Sequence, residues 1–578
     1  MKTTSEQRIA AFANTGWWTG DTLHSLLNQA VAKHPERLAV ADQPNREQLT
    51  GTPPLRINYR ELDELSDLIA AQLLAAGLGS DDILLVQLPN VVELVITYYA
   101  ASKIGCILSP VPVQYRSHEL RAVAAKLSAQ LIVTTTSFKE EPLAQLALDS
   151  GLQPLVFNGL PEDPWTALSL SGAGNTDSTG STKNGAVAGA LEELHTHREH
   201  LGEQIDDANS ILTIGWTSGT TGTPKGVPRS HNMWMAVARN VIETCGYREG
   251  DQLLNPFPLI NMAAIGGFLY PAVSIGASLF LHHPLDPAMF LHQLQAEAIT
   301  YTIAPPALLN HLAKSKDLWT QFDFSALRCV GSGSAPLPAA AVEIFESDYG
   351  KEIVNIYGSN EGISLLSTRE YAPEPEARAV MFPRWGVAGQ PWSDGFFNDN
   401  KTRVIDTDTG DEITEAGVQG ELVVDGPTVF DGYFGSDNNE VFTPDGYFRT
   451  GDLVEICGKD NGFYRIVGRC KDIINRGGTK ISPIEIDNLL DAMPGVAEAA
   501  VCSYPDPVLG EKICACVVPS AEATGVDLPR VINYLEAAGL AKYKLPERLE
   551  LFDALPRNPM NKVLRYQLQD EIERRSMQ

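Results

Sequence analysis

The sequence predicts an α/β protein: a large N-terminal domain of doubly wound mixed sheets with a β-rich subdomain, and a small α+β domain at the C-terminal end. The chain has 578 residues, and single hydrophobic cores stop growing near roughly 250 to 300 residues, so we expect at least two domains. Between residues 62 and 135, short apolar runs alternate with helical patterns, which predicts parallel strands with helices on both faces. From about 385 to 468, turns containing Gly and Asp separate short apolar runs, as is typical of antiparallel strands.

The elements of the large domain follow in order. Leucines at helical spacing predict a first helix from Leu62, and Gly77 is a suitable end for it. A segment rich in Gly, Ser, Thr and Asn at 169–188 has no periodicity, so we predict a flexible surface loop there. The remaining predicted elements are strands at 83–88, 106–111, 131–135, 211–216, 277–281, 300–304, 328–331 and 353–357, with helices at 91–104 and 120–127.

The small domain is predicted to begin at Lys471. An amphipathic helix containing Ile484, Ile486, Leu489 and Leu490 follows, with strands near 496–501 and 513–518. We therefore predict a large domain over 1–470 and a small domain over 471–578.

The composition limits the partners and the compartment. Lys and Arg number 44 against 72 Asp and Glu, a formal net charge of −28. Such a surface repels nucleic acid and anionic lipid, so we expect neither as a partner. The eight cysteines show no zinc or CxxC spacing, and no apolar run reaches 18 residues, so we expect a cytoplasmic protein with reduced thiols and no membrane span.

The stretch ILTIGWTSGTTGTPKGVP, residues 211–228, is predicted to bind phosphate. Its glycines allow the backbone to approach an anion, its hydroxyls donate hydrogen bonds, and its lysine adds a positive charge. Pro224 before Lys225 and Gly226 after it distinguish the stretch from a Walker A loop. A flexible Gly/Thr surface turn is the alternative reading of this stretch alone. The predicted anion ligands are Thr217, Ser218, Gly219, Thr220, Thr221, Gly222 and Lys225.

This loop resembles the phosphate loop of the adenylate-forming superfamily, which contains acyl- and aryl-CoA synthetases, luciferases and the adenylation domains of peptide synthetases. Further segments match the same superfamily in the same order: GSGSAPLP from Gly331, NIYGSNEG from Asn355, GYFRTGDL from Gly446, GRCKDIINRGGTKISP from Gly468 and PRNPMNKVLR from Pro556. Together they cover nearly the whole chain.

The resemblance implies a role for each matched residue in nucleotide binding. Tyr357 would stack on adenine, Glu361 would supply a carboxylate to Mg²⁺, Asp452 would accept both ribose hydroxyls, and Arg469 would contact the ribose region. Asn360 stands where the family usually has threonine, and its amide can still donate to phosphate oxygens. The remaining nucleotide-binding residues implied by the match are Gly333, Ser334, Ala335, Gly358 and Ser359.

The C-terminal motifs imply which residues take part in rotation of the small domain. Lys471 resembles the hinge about which the small domain rotates, and Lys562 resembles the adenylation lysine, although Asn561 replaces the usual glycine before it. The face formed by Gly477, Gly478 and Lys480 would line the channel for the thiol.

The acid-binding segment NPFPLINMAAIGG lacks the histidine that many relatives have there. Asn261 would either hydrogen-bond the acid or pair with backbone. Phe257, Met262 and Gly331 would complete the acid pocket. The opening TGWWTGDTLHSLL is similar to aryl-acid adenylating enzymes and alicyclic-acid CoA ligases.

The resemblance implies an enzyme that converts a carboxylic acid and MgATP to an acyl-adenylate and pyrophosphate, and then transfers the acyl group to a thiol. We expect the thiol to be coenzyme A. A stand-alone adenylase that loads the phosphopantetheine of a carrier protein is one alternative, and a catalytically silent binding or scaffold member is another.

Overall fold

The computed structural model describes residues 1–157, 168–170, 180–217, 224–333, 337–390, 392, 398–477, 479–520, 525–557 and 563–576. These residues form two compact units. Unit 1 comprises Met1–Gly333, Leu337–Ala379 and Gly426–Val441, and unit 2 comprises Val380–Asp425 and Phe442–Gln578, within the described ranges.

The strands, in chain order, are β1 (Leu38–Ala41), β2 (Arg56–Asn58), β3 (Ile83–Gln87), β4 (Ile107–Pro110), β5 (Leu131–Thr135), β6 (Gln153–Phe157), β7 (Leu168–Leu170), β8 (Ile211–Thr217), β9 (Lys225–Ser230), β10 (Gln252–Asn255), β11 (Ser278–Leu281), β12 (Tyr301–Ile303), β13 (Cys329–Gly333), β14 (Glu352–Gly358), β15 (Ser364–Ser367), β16 (Met381–Pro383), β17 (Lys401–Ile405), β18 (Gln419–Asp425), β19 (Phe448–Cys457), β20 (Phe463–Arg469), β21 (Ile474–Arg476), β22 (Thr479–Ile481), β23 (Val496–Asp506), β24 (Gly510–Pro519) and β25 (Arg548–Leu551).

The helices are α1 (Glu6–Asn14), α2 (Leu23–Lys33), α3 (Arg46–Thr50), α4 (Tyr59–Ala75), α5 (Val92–Ile104), α6 (Ser117–Leu127), α7 (Leu143–Asp149), α8 (Gly180–Ile205), α9 (His231–Thr244), α10 (Met262–Ala264), α11 (Tyr270–Ser274), α12 (Pro287–Ala296), α13 (Pro306–Lys314), α14 (Lys316–Trp319), α15 (Ala339–Ser347), α16 (Pro375–Val380), α17 (Pro483–Asp491), α18 (Leu528–Ala537) and α19 (Arg565–Ser576). A π-helical turn spans Ile265–Leu269, and 3-10 turns span Lys459–Asn461 and Lys542–Lys544.

Unit 1 contains two mixed sheets, as the alternating pattern predicted. The first has seven strands in the order β7-β6-β5-β3-β4-β8-β9. Its interior pairs are parallel, whereas β7 and β9 at the edges run antiparallel to their neighbours. Buried aliphatic side chains such as Leu85, Ile107, Ile132 and Ile214 form its core.

The second sheet of unit 1 has eight strands in the order β15-β14-β13-β12-β10-β11-β1-β2. The pairs from β14 to β1 are parallel, and β15 and β2 close the edges in the antiparallel sense. Trp319 stacks on Tyr349 with ring centroids 4.3 Å apart, next to the buried Phe345. The predicted fold class is therefore confirmed for this unit.

Unit 2 begins with the predicted β-rich segment, which forms a five-stranded sheet in the order β16-β20-β19-β18-β17, antiparallel throughout. The C-terminal sheet runs β22-β21-β24-β23, with β25 beside β24. One of its cores contains Ile486 and Leu490 of α17, and another contains Leu568 and Ile572 of α19. The predicted domain boundary after residue 470 falls inside unit 2 and stays a prediction.

The prediction of a flexible loop over 169–188 was wrong at both ends of that segment, where the structure has a strand and a helix. Strand β7 pairs with β6 up to residue 170, and helix α8 begins at Gly180. Once a helix has formed, each added residue contributes one hydrogen bond. The part of α8 that contains alanine and leucine can therefore extend the helix into its first residues, which form helices weakly on their own. Residues 171–179 lie outside the described ranges. Although α8 has 26 residues, no described helix is long and apolar enough to cross a membrane.

Candidate active site

The predicted phosphate loop connects two antiparallel strands. Thr217, the last residue of β8, is the register partner of Lys225, the first residue of β9. Sequence reasoning missed β9, because its Gly and Pro residues are unusual in strands. A Walker A loop instead leads from a strand into a helix, so the two architectures differ. The predicted ligands Ser218, Gly219, Thr220, Thr221 and Gly222 lie outside the described residues.

Tyr433 connects the loop lysine to the predicted metal carboxylate within unit 1. The Lys225 ammonium lies 4.6 Å from the centroid of the Tyr433 ring, a cation–π distance. The Tyr433 hydroxyl donates a hydrogen bond of 2.9 Å to Oε1 of Glu361. The structure thus connects Lys225 and Glu361 through one residue, Tyr433, that the sequence motifs did not indicate.

The backbone around Glu361 is fixed by the segment 426–434. The Phe430 amide donates to the Glu361 carbonyl at 2.9 Å, and the Thr428 hydroxyl donates to the Gly362 carbonyl at 2.8 Å. Gly362 has φ +120°, and a Cβ there would overlap the Thr428 carbonyl oxygen. Only glycine therefore allows this close approach, which explains the Glu-Gly pair in NIYGSNEG.

Arg229 on β9 lies buried behind this loop. Its guanidinium donates to the backbone carbonyls of Asn360 at 2.9 Å and Thr428 at 2.8 Å, and lies 4.6 Å from the Trp234 ring centroid. Burial lowers the pKa of Arg229 to about 9, and the negative charge of Glu361 opposes that shift. This residue was also missed by sequence reasoning, since an arginine in a strand carries no local sign of burial.

The surroundings of Glu361 fit a magnesium ion. Its side chain is buried, with Oε1 engaged by Tyr433, and no described residue donates a hydrogen bond to Oε2. The nearby Asp431 is engaged by Arg8 at 2.9 Å and by the Thr4 hydroxyl. No group of three His, Cys, Asp or Glu side chains within the described ranges could hold a metal ion. A single carboxylate suits Mg²⁺, which takes its other ligands from water and substrate phosphates.

The predicted adenine segment lies at the end of β14. Tyr357 is partly exposed there, and Gly358 and Ser359 follow it. Asn360 accepts a hydrogen bond from the Met262 amide at 2.8 Å through Oδ1. The amide oxygen of Asn360 therefore holds the predicted acid-binding segment in place, a contact that the sequence did not indicate.

The glycine-rich segment GSGSAPLP is described only in part. A Cβ on Gly333 would overlap the Ile356 carbonyl oxygen, so β13 and β14 approach closely there. A Cβ on Gly331 would overlap the Tyr301 hydroxyl, which belongs to the core of the sheet. Ser334 and Ala335 lie outside the described residues.

The predicted acid-binding segment is held by side-chain amides. Oδ1 of Asn261 accepts a hydrogen bond from the Ala264 amide at 3.0 Å and caps α10. Of the two roles predicted for Asn261, its oxygen therefore has the second, pairing with backbone. The Phe257 carbonyl accepts from the Asn90 side chain at 2.7 Å. Met262 is buried, and the π-helical turn begins three residues later; such turns are frequent at functional sites.

The predicted ribose contacts pair with each other inside unit 2. Asp452 on β19 and Arg469 on β20 are register partners, with Oδ1 and Nε 2.7 Å apart. Lys471 lies exposed in the turn after β20. The Gly477 amide donates to the Leu509 carbonyl at 2.8 Å. Gly478, the Lys480 side chain and Lys562 lie outside the described residues.

Comparison with protein-family models gives two matches. A family described as "AMP-binding enzyme" matches residues 27–434, and one described as "AMP-binding enzyme C-terminal domain" matches residues 485–562. The two matches follow each other along the chain in the order that the sequence motifs predict.

Individual relatives align along nearly the whole chain. A salicylyl-CoA synthase / salicylate adenylyltransferase from a Streptomyces species is 30% identical and covers 97% of this chain and 95% of its own length. A salicyl-AMP ligase / salicyl-S-ArCP synthetase of Mycobacterium tuberculosis is 28% identical over 96% of this chain and 92% of its own. The crystal structure of ATP-bound MatB from Rhodopseudomonas palustris superposes with a TM-score of 0.73 at 25% identity, covering 95% of this chain and 98% of that one.

Proposed function

This chain belongs to the AMP-binding enzyme family and is an adenylate-forming enzyme, and from that premise we propose that it activates a salicylate-class aryl acid with ATP and transfers the acyl group to a thiol. The observation that carries the proposal is the arrangement in unit 1, where Tyr433 links the loop cation Lys225 to the Glu361 carboxylate. A cation and a metal-binding carboxylate at one place are what a triphosphate requires.

In the first step, an oxygen of the acid carboxylate bonds to the α-phosphorus of ATP, and the bond from that phosphorus to the bridging oxygen of pyrophosphate breaks. A carboxylate is a poor nucleophile toward an anionic phosphate, so the site must compensate charge and hold the reactants in line. Lys225 and the hydroxyl of Thr217 would hold the departing pyrophosphate, and Lys562 would bridge the carboxylate and the α-phosphate. Glu361 would hold Mg²⁺, which neutralises phosphate charge when bound.

The nucleoside would be held by residues that the sequence motifs indicate. Tyr357 would stack on adenine, with Gly333, Gly358 and Asn360 close to the base and the phosphates. Asp452 would accept the ribose hydroxyls, because a carboxylate accepts two such hydrogen bonds well. Its pairing with Arg469 holds the carboxylate in one orientation.

In the second step, the sulfur of a thiol attacks the acyl carbon of the adenylate and its proton passes to solvent. AMP leaves with the bonding electron pair, and a thioester forms. Rotation of the small domain about Lys471 would withdraw Lys562 and bring Gly477, Gly478 and Lys480 to the thiol channel. Such domain closure is a common way for one site to serve two reactions.

The salicylate class is supported by the two relatives whose names specify salicylate. The acid would lie against Phe257, Met262 and Gly331, with Asn261 as the polar group of an otherwise apolar wall. The Asn360 contact to the Met262 amide would couple this wall to the nucleotide segment.

The proposal is tested by acid-dependent pyrophosphate release with salicylate, benzoate, cyclohexanecarboxylate and octanoate, each with and without coenzyme A. We expect salicylate to give the highest kcat/KM. A preference for octanoate or cyclohexanecarboxylate would contradict the acid class. Release with none of these acids would instead support a silent binding or scaffold protein.

Coenzyme A is the proposed acceptor, in keeping with the salicylyl-CoA synthase relative. The phosphopantetheine of a carrier protein is the second candidate, which the salicyl-S-ArCP synthetase relative favours. Pyrophosphate release without any thioester on addition of coenzyme A would select the carrier protein.

A further inference from the structure

We propose that Tyr433 is a positioning residue that keeps the loop cation Lys225 apart from the Glu361 carboxylate, so that Glu361 remains available to a metal ion. This inference rests on the proposed function, because it concerns how the same site receives MgATP. It concerns a residue that does not itself carry a charge and that the sequence motifs did not indicate.

The side chain of Tyr433 makes two different contacts through two different parts. Its ring face receives the Lys225 ammonium, 4.6 Å from the centroid, and its hydroxyl donates to Oε1 of Glu361 at 2.9 Å. One side chain therefore engages the cation through its ring and the anion through its hydroxyl. Within the described part of the chain, Lys225 makes no ion pair with a carboxylate.

Backbone hydrogen bonds hold Tyr433 in this place from both directions. The Phe430 amide donates to the Glu361 carbonyl at 2.9 Å, and the Phe434 amide donates to the Gly226 carbonyl at 2.9 Å. One five-residue stretch thus binds the residue that carries the carboxylate and the residue next to the loop lysine. The Tyr433 amide donates to Oδ1 of Asn438 at 2.8 Å, which fixes the stretch between its ends.

The physical consequence concerns competition for one carboxylate. A lysine free to approach Glu361 would form an ion pair that a metal must break before binding. A cation–π contact holds the lysine without using any carboxylate oxygen. The hydroxyl hydrogen bond also fixes the rotation of the carboxylate, because it occupies Oε1 and leaves Oε2 for the metal.

The test measures ATP binding without turnover. Isothermal titration of ATP at a series of free Mg²⁺ concentrations gives the Mg²⁺ midpoint for the wild type, Tyr433→Phe and Tyr433→Leu. Tyr433→Phe keeps the ring and loses only the hydroxyl, so we expect its midpoint to rise about 10-fold, from the loss of one hydrogen bond to a charged group. Tyr433→Leu loses the ring as well, so we expect a rise of about 20-fold or more, because Lys225 can then pair with Glu361.

A double variant distinguishes pairing of Lys225 with Glu361 from a general loss of structure. Removing the competing cation in Tyr433→Leu/Lys225→Met should lower the Mg²⁺ midpoint below that of Tyr433→Leu alone, even though overall ATP affinity falls. The matched control is Tyr349→Phe, which removes a 2.9 Å hydrogen bond to the Leu312 carbonyl in the core of the same unit. Its midpoint should equal that of the wild type.

The inference is overturned if Tyr433→Phe and Tyr349→Phe have the same midpoint, or if the double variant has a higher midpoint than Tyr433→Leu. Should Tyr433→Leu not fold, the comparison of the two Tyr→Phe variants decides alone. If the wild type binds MgATP but none of the tested acids supports pyrophosphate release, the proposed function is refuted. The Mg²⁺ midpoints would still decide the role of Tyr433.

Discussion

Asp452 and Arg469 face each other across two antiparallel strands, with 2.7 Å between Oδ1 and Nε. The Asp452 amide also donates to the Thr450 hydroxyl at 3.1 Å. The carboxylate is therefore oriented before any nucleotide binds, and this reduces the entropy that binding must remove.

If Asp452 accepts both ribose hydroxyls, Asp452→Asn should raise the KM for ATP about 10-fold, because an amide is a weaker acceptor than a carboxylate. The same substitution should raise the KM for 2′-deoxy-ATP by a smaller factor, since that nucleotide lacks one of the two donors. Pyrophosphate exchange with both nucleotides measures this difference. Equal factors for ATP and 2′-deoxy-ATP would show that Asp452 does not contact the 2′-hydroxyl.

Lys562→Ala should reduce the adenylation rate by about 100-fold or more, as the loss of other electrostatic donors does. Thioester formation from supplied acyl-adenylate should persist, because the proposed rotation removes this lysine from the second step. Single-turnover assays of the two half-reactions measure each rate. The rotation mechanism fails for this protein if both rates fall by the same factor.

Lys471→Pro should have the opposite effect. Proline restricts the backbone at the proposed hinge, in the exposed turn between β20 and β21, so adenylation should continue while thioester formation slows. Lys471→Ala is the matched control, since it removes the charge and keeps the backbone free. A thioester rate that falls equally in both variants would assign the effect to the charge and not to rotation.

Arg229→Met should destabilise unit 1 by about 3 kcal/mol, because the backbone carbonyls of Asn360 and Thr428 lose a buried charged donor. Urea-induced unfolding followed by tryptophan fluorescence measures the change. Arg60→Met removes an exposed ion pair with Glu36 and should cost less than about 1 kcal/mol. A similar loss in both variants would mean that the buried guanidinium contributes little.

The sequence predicted the parts of this fold that have local signatures. The periodic helices and strands, the antiparallel sheet and the Thr217 to Lys225 loop were all readable from spacing and composition. The site was predicted only as separate motifs, because its organisation depends on contacts between distant residues. Tyr433 and Glu361 are 72 positions apart, and neither an aromatic residue after an Asp-Gly turn nor an arginine such as Arg229 indicates its partner in sequence.

The hairpin formed by β8 and β9 has a consequence for the choice between free ATP and its magnesium complex. Because the chain continues from Pro224 into a strand, no helix dipole adds positive potential at the loop exit, unlike in a Walker A site. The protein as a whole carries a formal charge of −28, which repels a free polyphosphate. We therefore expect the enzyme to reject uncomplexed ATP and to respond to the cell's magnesium supply as well as to its energy state.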